Sequence, residues 1–138
     1  LINAGIDVYF DEFDSDLKFY RQTNNPTGVV TSIKKGIEMS SHMLCVISNN
    51  TLYSKWVPWE IGYGSEKTIQ GAITIKGLSS TELPDYLKTV HLVRGIKSLN
   101  NLILQITGQT EYLLESQSRI KNYSSFYHPL ATILENYL

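Results

Sequence analysis

The sequence predicts an α/β domain in which helices cover a parallel sheet on both faces, and three observations carry that prediction. Two short uncharged runs, Met43-Leu44-Cys45-Val46-Ile47 and Ala72-Ile73-Thr74-Ile75, have the unbroken apolar character of strands buried on both faces. They alternate with stretches whose apolar residues recur at three- and four-residue spacing, the signature of helices with one buried stripe. Alternation of this kind favours parallel strands joined by helical crossovers. Finally, 138 residues with 42% hydrophobic and 18% charged content suffice for one domain with a continuous core, and not for two.

The elements follow in order. Leu1-Ile2-Asn3-Ala4-Gly5 reads as the last turn of a helix ending at a glycine, and Ile6 to Phe10 as a strand. A helix represented only by its final turn implies that the chain as given lacks an N-terminal strand and most of a helix. Residues 11–27 carry Asp11, Glu12, Asp14, Asp16, Asn24, Asn25 and Pro26 with little periodicity, which predicts a long polar loop. From Gly28 a helix presents Val29, Val30, Ile33 and Ile37 on one stripe and turns Lys34, Lys35 and Glu38 to water. The strand 43–47 follows and breaks at Ser48-Asn49-Asn50. Ser54 caps the next helix, where Pro58 is tolerated in the first turn. That helix carries Trp56, Trp59, Glu60, Ile61 and Tyr63 and ends near Lys67 or Thr68. After the strand 72–75 come a helical turn at residues 83–87 and a short strand His91-Leu92-Val93. A helix capped by Ser98 then has Leu99, Leu102, Ile103 and Ile106 on one face, and Leu130, Ile133, Leu134 and Tyr137 mark a terminal amphipathic helix. The expected organisation is a domain over residues 1–109 with a helical extension over 110–138.

Several function classes have no support. Twelve basic against thirteen acidic residues leave a formal charge of −1, with no electrostatic case for nucleic acid or an anionic membrane. No apolar stretch approaches the ~18 residues needed to span a bilayer, and no secretory pattern is present, so a cytoplasmic location is expected. Cys45, the single cysteine, lies within an apolar run and reads as a reduced structural thiol. His42, His91 and His128 lack metal-ligand spacing, so no metal is expected. Gly-x-Ser-x-Gly and phosphate-cradling glycine loops are absent. A phosphoacceptor reading of the acidic residues 11–16 fails because the strand 43–47 ends in Ser48 rather than in an aspartate.

In such sheets ligands sit outside the carboxyl ends of the strands, which points to segments 11–27 and 48–54. The stretch Ser48-Asn49-Asn50-Thr51-Leu52-Tyr53-Ser54-Lys55-Trp56-Val57-Pro58-Trp59-Glu60-Ile61-Gly62-Tyr63 is the specific signal. It resembles the signature of TIR (Toll/interleukin-receptor) domains: a strand ending in serine, an Asn/Tyr-containing loop, Ser-x-Trp, and a glutamate four residues after the tryptophan. The run Pro58-Trp59-Glu60-Ile61-Gly62-Tyr63 is similar to one found in bacterial TIR-like proteins. Gly5 to Asp11 looks like the second strand of that fold, and Pro26 to Gly28 falls at its BB loop. The resemblance covers roughly residues 1–107 and lacks the first, central strand. It implies a flavodoxin-like parallel sheet and an NAD⁺-cleaving site with Glu60 as the catalytic carboxylate, NAD⁺ being substrate rather than cofactor. Trp56, Ser48, Trp59 and Tyr53 would contact substrate. The BB loop, with Asp11, Asp14, Pro26 and Gly28, would mediate self-association, in an enzyme of bacterial defence signalling.

The chemistry stands beside the resemblance. Residues four apart lie on one helix face, so Trp56 and Glu60 face a common space. Cleavage of the nicotinamide–ribose bond passes through an oxocarbenium-like state that a carboxylate stabilises. Nicotinamide leaves as a neutral base from a cationic ring, so one well-placed carboxylate can suffice, and a flat indole such as Trp56 can receive a ring. Blander roles fit the same residues: Glu60 as a solvated surface carboxylate, Trp56 and Trp59 as packing, Ser48 and Ser54 as a strand end and a helix cap. Two rival functions also fit: a non-catalytic TIR interaction module, and an enzyme like the nucleoside deoxyribosyltransferases, which also set a glutamate at an anomeric carbon.

Overall fold

The computed structural model describes residues 1–110, 130 and 132–134. Its centre is a three-stranded parallel sheet in the order β1-β2-β3, formed by β1 (His42–Ile47), β2 (Ile69–Thr74) and β3 (His91–Arg94). Side chains alternate across it as a twofold period requires. Ile73 and Val93 pack on one side with Ile96, Leu99, Leu102 and Ile103 of α5 (Gly95–Thr107). Ala72 and Ile47 pack on the other with Ile61 of α4 (Trp56–Gly64) and with Leu78, Leu83 and Leu87. Both faces are therefore covered, as the uncharged strand sequences demand. Helix α5 starts at Gly95, three residues before the expected Ser98 cap, and ends at Gly108 in the left-handed conformation.

A third cluster lies beside the sheet. Leu17 of α1 (Ser15–Gln22) packs with Val29, Ile33 and Ile37 of α2 (Pro26–Glu38), and Trp59 and Tyr63 of α4 close over them. This region departs most from expectation. The segment 11–27 is not a polar loop: it holds a 3₁₀ turn at Asp11–Phe13, the whole of α1 and the start of α2. The polar residues that made it read as a loop are its helix caps. Asp14 caps α1, its Oδ1 accepting from the Leu17 amide at 2.9 Å, and Asn25 caps α2, its Oδ1 accepting from the Gly28 amide at 3.0 Å. Pro26 is the first residue of α2, where its missing N–H is no loss. Gly28 is helical, and a Cβ there would overlap the Tyr20 ring, so it is a contact point between α1 and α2.

The segment Ile6–Phe10 is not a strand. Phe10 has extended backbone angles, but no ladder joins the segment to β1. Two clefts, of about 710 and 420 Å³, lie between this segment and β1 and share Tyr9, His42 and Leu44. Among the described residues no strand pairs with the other edge of β1, and Val46 is 57% exposed. Elsewhere the elements follow the sequence with shifted bounds: β2 is Ile69–Thr74 where 72–75 is expected, and α4 ends at Gly64 and not near Lys67 or Thr68. Ile2–Ala4 is a single 3₁₀ turn closed by Gly5 at φ 80°, and Asp85–Thr89 is another short helical turn. The terminal helix expected over 130–137 lies largely outside the described residues, as does the rest of the 110–138 extension beyond Thr110. Leu134 is buried against the α5 cluster, and the Ile133 carbonyl accepts from the Lys76 amide at 2.7 Å.

Candidate active site

Glu60, three residues after Val57 on α4, lines the 420 Å³ cleft. Both residues line the wall, as their i, i+3 spacing on α4 allows. The helix starts where it does because Ser54 Oγ accepts from the Trp56 and Val57 amides at 3.2 and 3.4 Å. Facing α4 across the cleft are Cys45 and Val46 of β1, Thr51 of the short helix α3 (Asn49–Leu52), and Phe10 and Asp11 of the incoming chain. Much of the remaining wall is apolar, with Ile33, Ile37, Met43 and Leu44. The carboxylates among its described residues are Asp11 and Glu60.

The electrostatics follow from that wall. Burial raises the Glu60 carboxyl above the ordinary glutamate range; the negative charge of Asp11 raises it further, and the Arg21 guanidinium pulls it partly back. Arg21 Nη2 meets Asp11 Oδ2 at 3.4 Å. Cys45 is half-buried rather than fully enclosed, and burial plus the charge of Glu60 push its thiol up to about 11. Burial thus favours its neutral thiol form.

The other residues singled out by sequence are placed differently. Trp56 meets Trp59 edge-on at 5.8 Å and leaves 42% of its surface exposed at the start of α4. Trp59 stacks on Tyr63 at 5.5 Å on the α2 side of the helix. Lys34 and Lys67 lie over the Tyr63 ring at 5.0 and 4.9 Å, and the Tyr63 hydroxyl donates to Glu38, so neither Lys34 nor Glu38 simply faces water. Trp59 thus helps join α4 to α2, outside the wall of the cleft. Ser48 caps α3 in a reciprocal arrangement with Thr51, and Tyr53 is 88% exposed. Asp14 accepts from the Tyr9 hydroxyl at 2.5 Å, apart from Glu60. Of the predicted residues, the structure brings Asp11 and Glu60 into one cleft. Thr51 and Val57 were missed, although Val57 could have been found from its spacing to Glu60.

The sequence model of the family described as Thoeris protein ThsB, TIR-like domain, matches residues 2–78, more than half of the chain. The chain belongs to this TIR-like family. The matched stretch of the TIR-like domain contains Asp11, Arg21, Cys45, Thr51 and Glu60, so every residue of the cleft described above falls inside it. No curated protein and no solved structure shows a significant match. Among the described residues, no helix of the TIR-like domain is long and apolar enough to cross a membrane, and no group of three or more histidine, cysteine or carboxylate side chains could hold a metal.

Proposed function

We propose that this TIR-like domain is an NAD⁺ nucleosidase in which Glu60 is the catalytic carboxylate. The supporting observation is the setting of Glu60: a half-buried carboxylate on α4 that lines a cleft of about 420 Å³ beside β1, its proton affinity raised by burial. In the reaction the C–N bond between ribose and the nicotinamide ring breaks, and the bonding pair leaves with nicotinamide. Water attacks the anomeric carbon and loses one proton, giving ADP-ribose; attack by an adenine nitrogen of the same molecule gives a cyclic product instead. The ionised Glu60 stabilises the positive charge that builds on the ribose. A partly desolvated carboxylate does this more strongly than one in water. The exposed Trp56 ring offers a stacking face at the start of the same helix.

Self-association belongs to the same proposal, with residues 11–28 as the contact and a cytoplasmic role in defence signalling. The exposed Phe13, edge-on to Phe10 at 5.3 Å, supports a contact there, since Phe10 also lines the cleft. The decisive experiment is NAD⁺ cleavage by wild type and Glu60→Gln across a range of protein concentrations. The amide keeps the shape and removes the charge, so activity should fall by ~10²–10³-fold. A variant within threefold of wild type overturns the assignment of Glu60. No cleavage by wild type at any concentration favours the interaction-module reading, and base exchange on nucleosides favours the deoxyribosyltransferase-like one.

A further inference from the structure

Helix α4 is poorly equipped to hold its own place. It has nine residues, Trp56–Gly64, and among them are Pro58, Gly62 and Gly64. A helix of that length is unstable alone, and each glycine loosens it further. Nothing lies within 4 Å of where a Gly62 Cβ would sit, so packing does not demand that glycine. Polar contacts from outside the helix hold its ends. At the start, Ser54 Oγ accepts from the Trp56 and Val57 amides. At the other end, Gln70 Nε2 of β2 donates to the Ile61 carbonyl at 2.7 Å. That carbonyl is one of the last four of the helix, which commonly lack an intrahelical partner. Gly64 admits the amide: a Cβ there would lie 3.0 Å from Gln70 Nε2 and 2.9 Å from Met43 Sδ. Because β2 pairs with both β1 and β3, the contact ties α4 to the middle of the sheet.

We propose that Gln70 is the positioning residue for Glu60: its donation to the Ile61 carbonyl fixes the last turn of α4, and with it the direction of the carboxylate one residue before. The inference rests on the reading of Glu60 given above and extends it to what holds that side chain in place. Ile61 packs in one cluster with Ile47 and Ala72, and Trp59 packs towards α2. Apolar contacts of this kind are non-directional and tolerate small slides and rotations of the helix. A hydrogen bond does not, since it weakens steeply away from its preferred angle. Gln70 Nε2 also lies 3.8 Å from Met43 Sδ, a weak acceptor, so the Ile61 carbonyl is its strong partner.

Both tryptophans of the chain, Trp56 and Trp59, lie in α4, so tryptophan emission reports on this helix alone. The test joins emission and amide hydrogen exchange to NAD⁺ cleavage. The variants are Gln70→Met, Gln70→Glu, Gly64→Ala, Gly62→Ala, Glu60→Gln and Glu60→Gln combined with Gln70→Met. Gln70→Met keeps the length of the side chain and removes the donor. It should shift the emission and speed exchange in α4 about fivefold, the effect of one hydrogen bond, while β3 and α5 stay near wild type. It should lower kcat by ~10–100-fold with KM within about threefold of wild type. Gln70→Glu can only accept at neutral pH and should be at least as damaging. Gly64→Ala should act in the same direction by displacing the amide, whereas Gly62→Ala, with open space for its methyl, should slow α4 exchange. With Glu60→Gln in place, Gln70→Met should cost no further cleavage, because its effect passes through the missing carboxylate. A residue that merely supports the fold lowers activity in both backgrounds. Thermal melts identify any variant that fails to fold, and Gly64→Ala then tests the same contact from its other side. Unchanged α4 exchange in Gln70→Met, a kcat within about threefold of wild type, or equal losses in both backgrounds overturn the Gln70 assignment while Glu60 stands. If wild type does not cleave NAD⁺, or Glu60→Gln cleaves it like wild type, the reading of the site and this inference fall together.

Discussion

Glu60 combines two properties that pull against each other. Burial and the neighbouring Asp11 raise its proton affinity, whereas the chemistry needs its charged form. Activity should therefore fall on acidification at a pH above the ordinary glutamate range, and kcat/KM measured between pH 4 and 8 in steps should place the acid limb there. The same shift has a consequence for stability. A carboxyl whose folded pKa lies above its unfolded value favours the fold below the unfolded value, and that contribution is lost as pH rises through the folded one. At neutral pH Glu60→Gln should thus melt at or above the wild-type temperature, and the two proteins should converge as the pH is lowered to 4. A Glu60→Gln variant that melts lower at pH 7 would show that the charge is stabilised by partners beyond Arg21. The value of Glu60 as a candidate was legible in the sequence through its spacing to Trp56. Its coupling to Asp11 was not, because forty-eight intervening residues give no hint that the two side chains share a cleft.

Helices α1 and α2 show how caps can disguise an element. Asp14 and Asn25 are polar because they terminate helices, and α1 buries only Leu17 fully, so its stripe is too short to reveal a period. The pair is held at a close approach between Gly28 and the Tyr20 ring. Gly28→Leu should cost ~1–3 kcal/mol through overpacking, read by urea denaturation. Asp14→Ala should cost ~1 kcal/mol, because the α1 cap is lost along with the acceptor of the Tyr9 hydroxyl. If both variants unfold like wild type, α1 contributes nothing to the cooperative unit. Mutations at Gly28 or Pro26 therefore probe helix packing and helix initiation first, and any effect on association only through them.

At the scale of the whole molecule, the cleft beside β1 is lined by Phe10, and Phe10 meets the exposed Phe13 edge-on. If copies of the chain complete or gate one another's site there, specific activity should rise between nanomolar and tens of micromolar protein. Phe13 is 82% exposed and belongs to none of the buried core clusters, so Phe13→Glu should leave the melting temperature near wild type and flatten that rise. Constant activity per molecule over the whole range in wild type would mean that the cleft works within one chain.

The sequence by itself determined the layered α/β class, the two central strands, α5 and the glutamate-bearing helix. Each depends on local periodicity, and apolar runs such as Met43–Ile47 have one stable environment whatever surrounds them. The TIR likeness was legible for the same reason, since Ser54, Trp56 and Glu60 lie within two helical turns. Tertiary structure decided the rest. Ile6–Phe10 has strand composition but forms no ladder, because an extended segment becomes a strand only with a neighbour at hydrogen-bonding distance. Trp59 and Trp56 are equivalent in sequence, yet Trp59 packs towards α2 while Trp56 stays exposed. Which face of α4 lines the cleft, and which acid shares that wall with Glu60, depend on how α1, α2 and β1 assemble, and no local pattern encodes that.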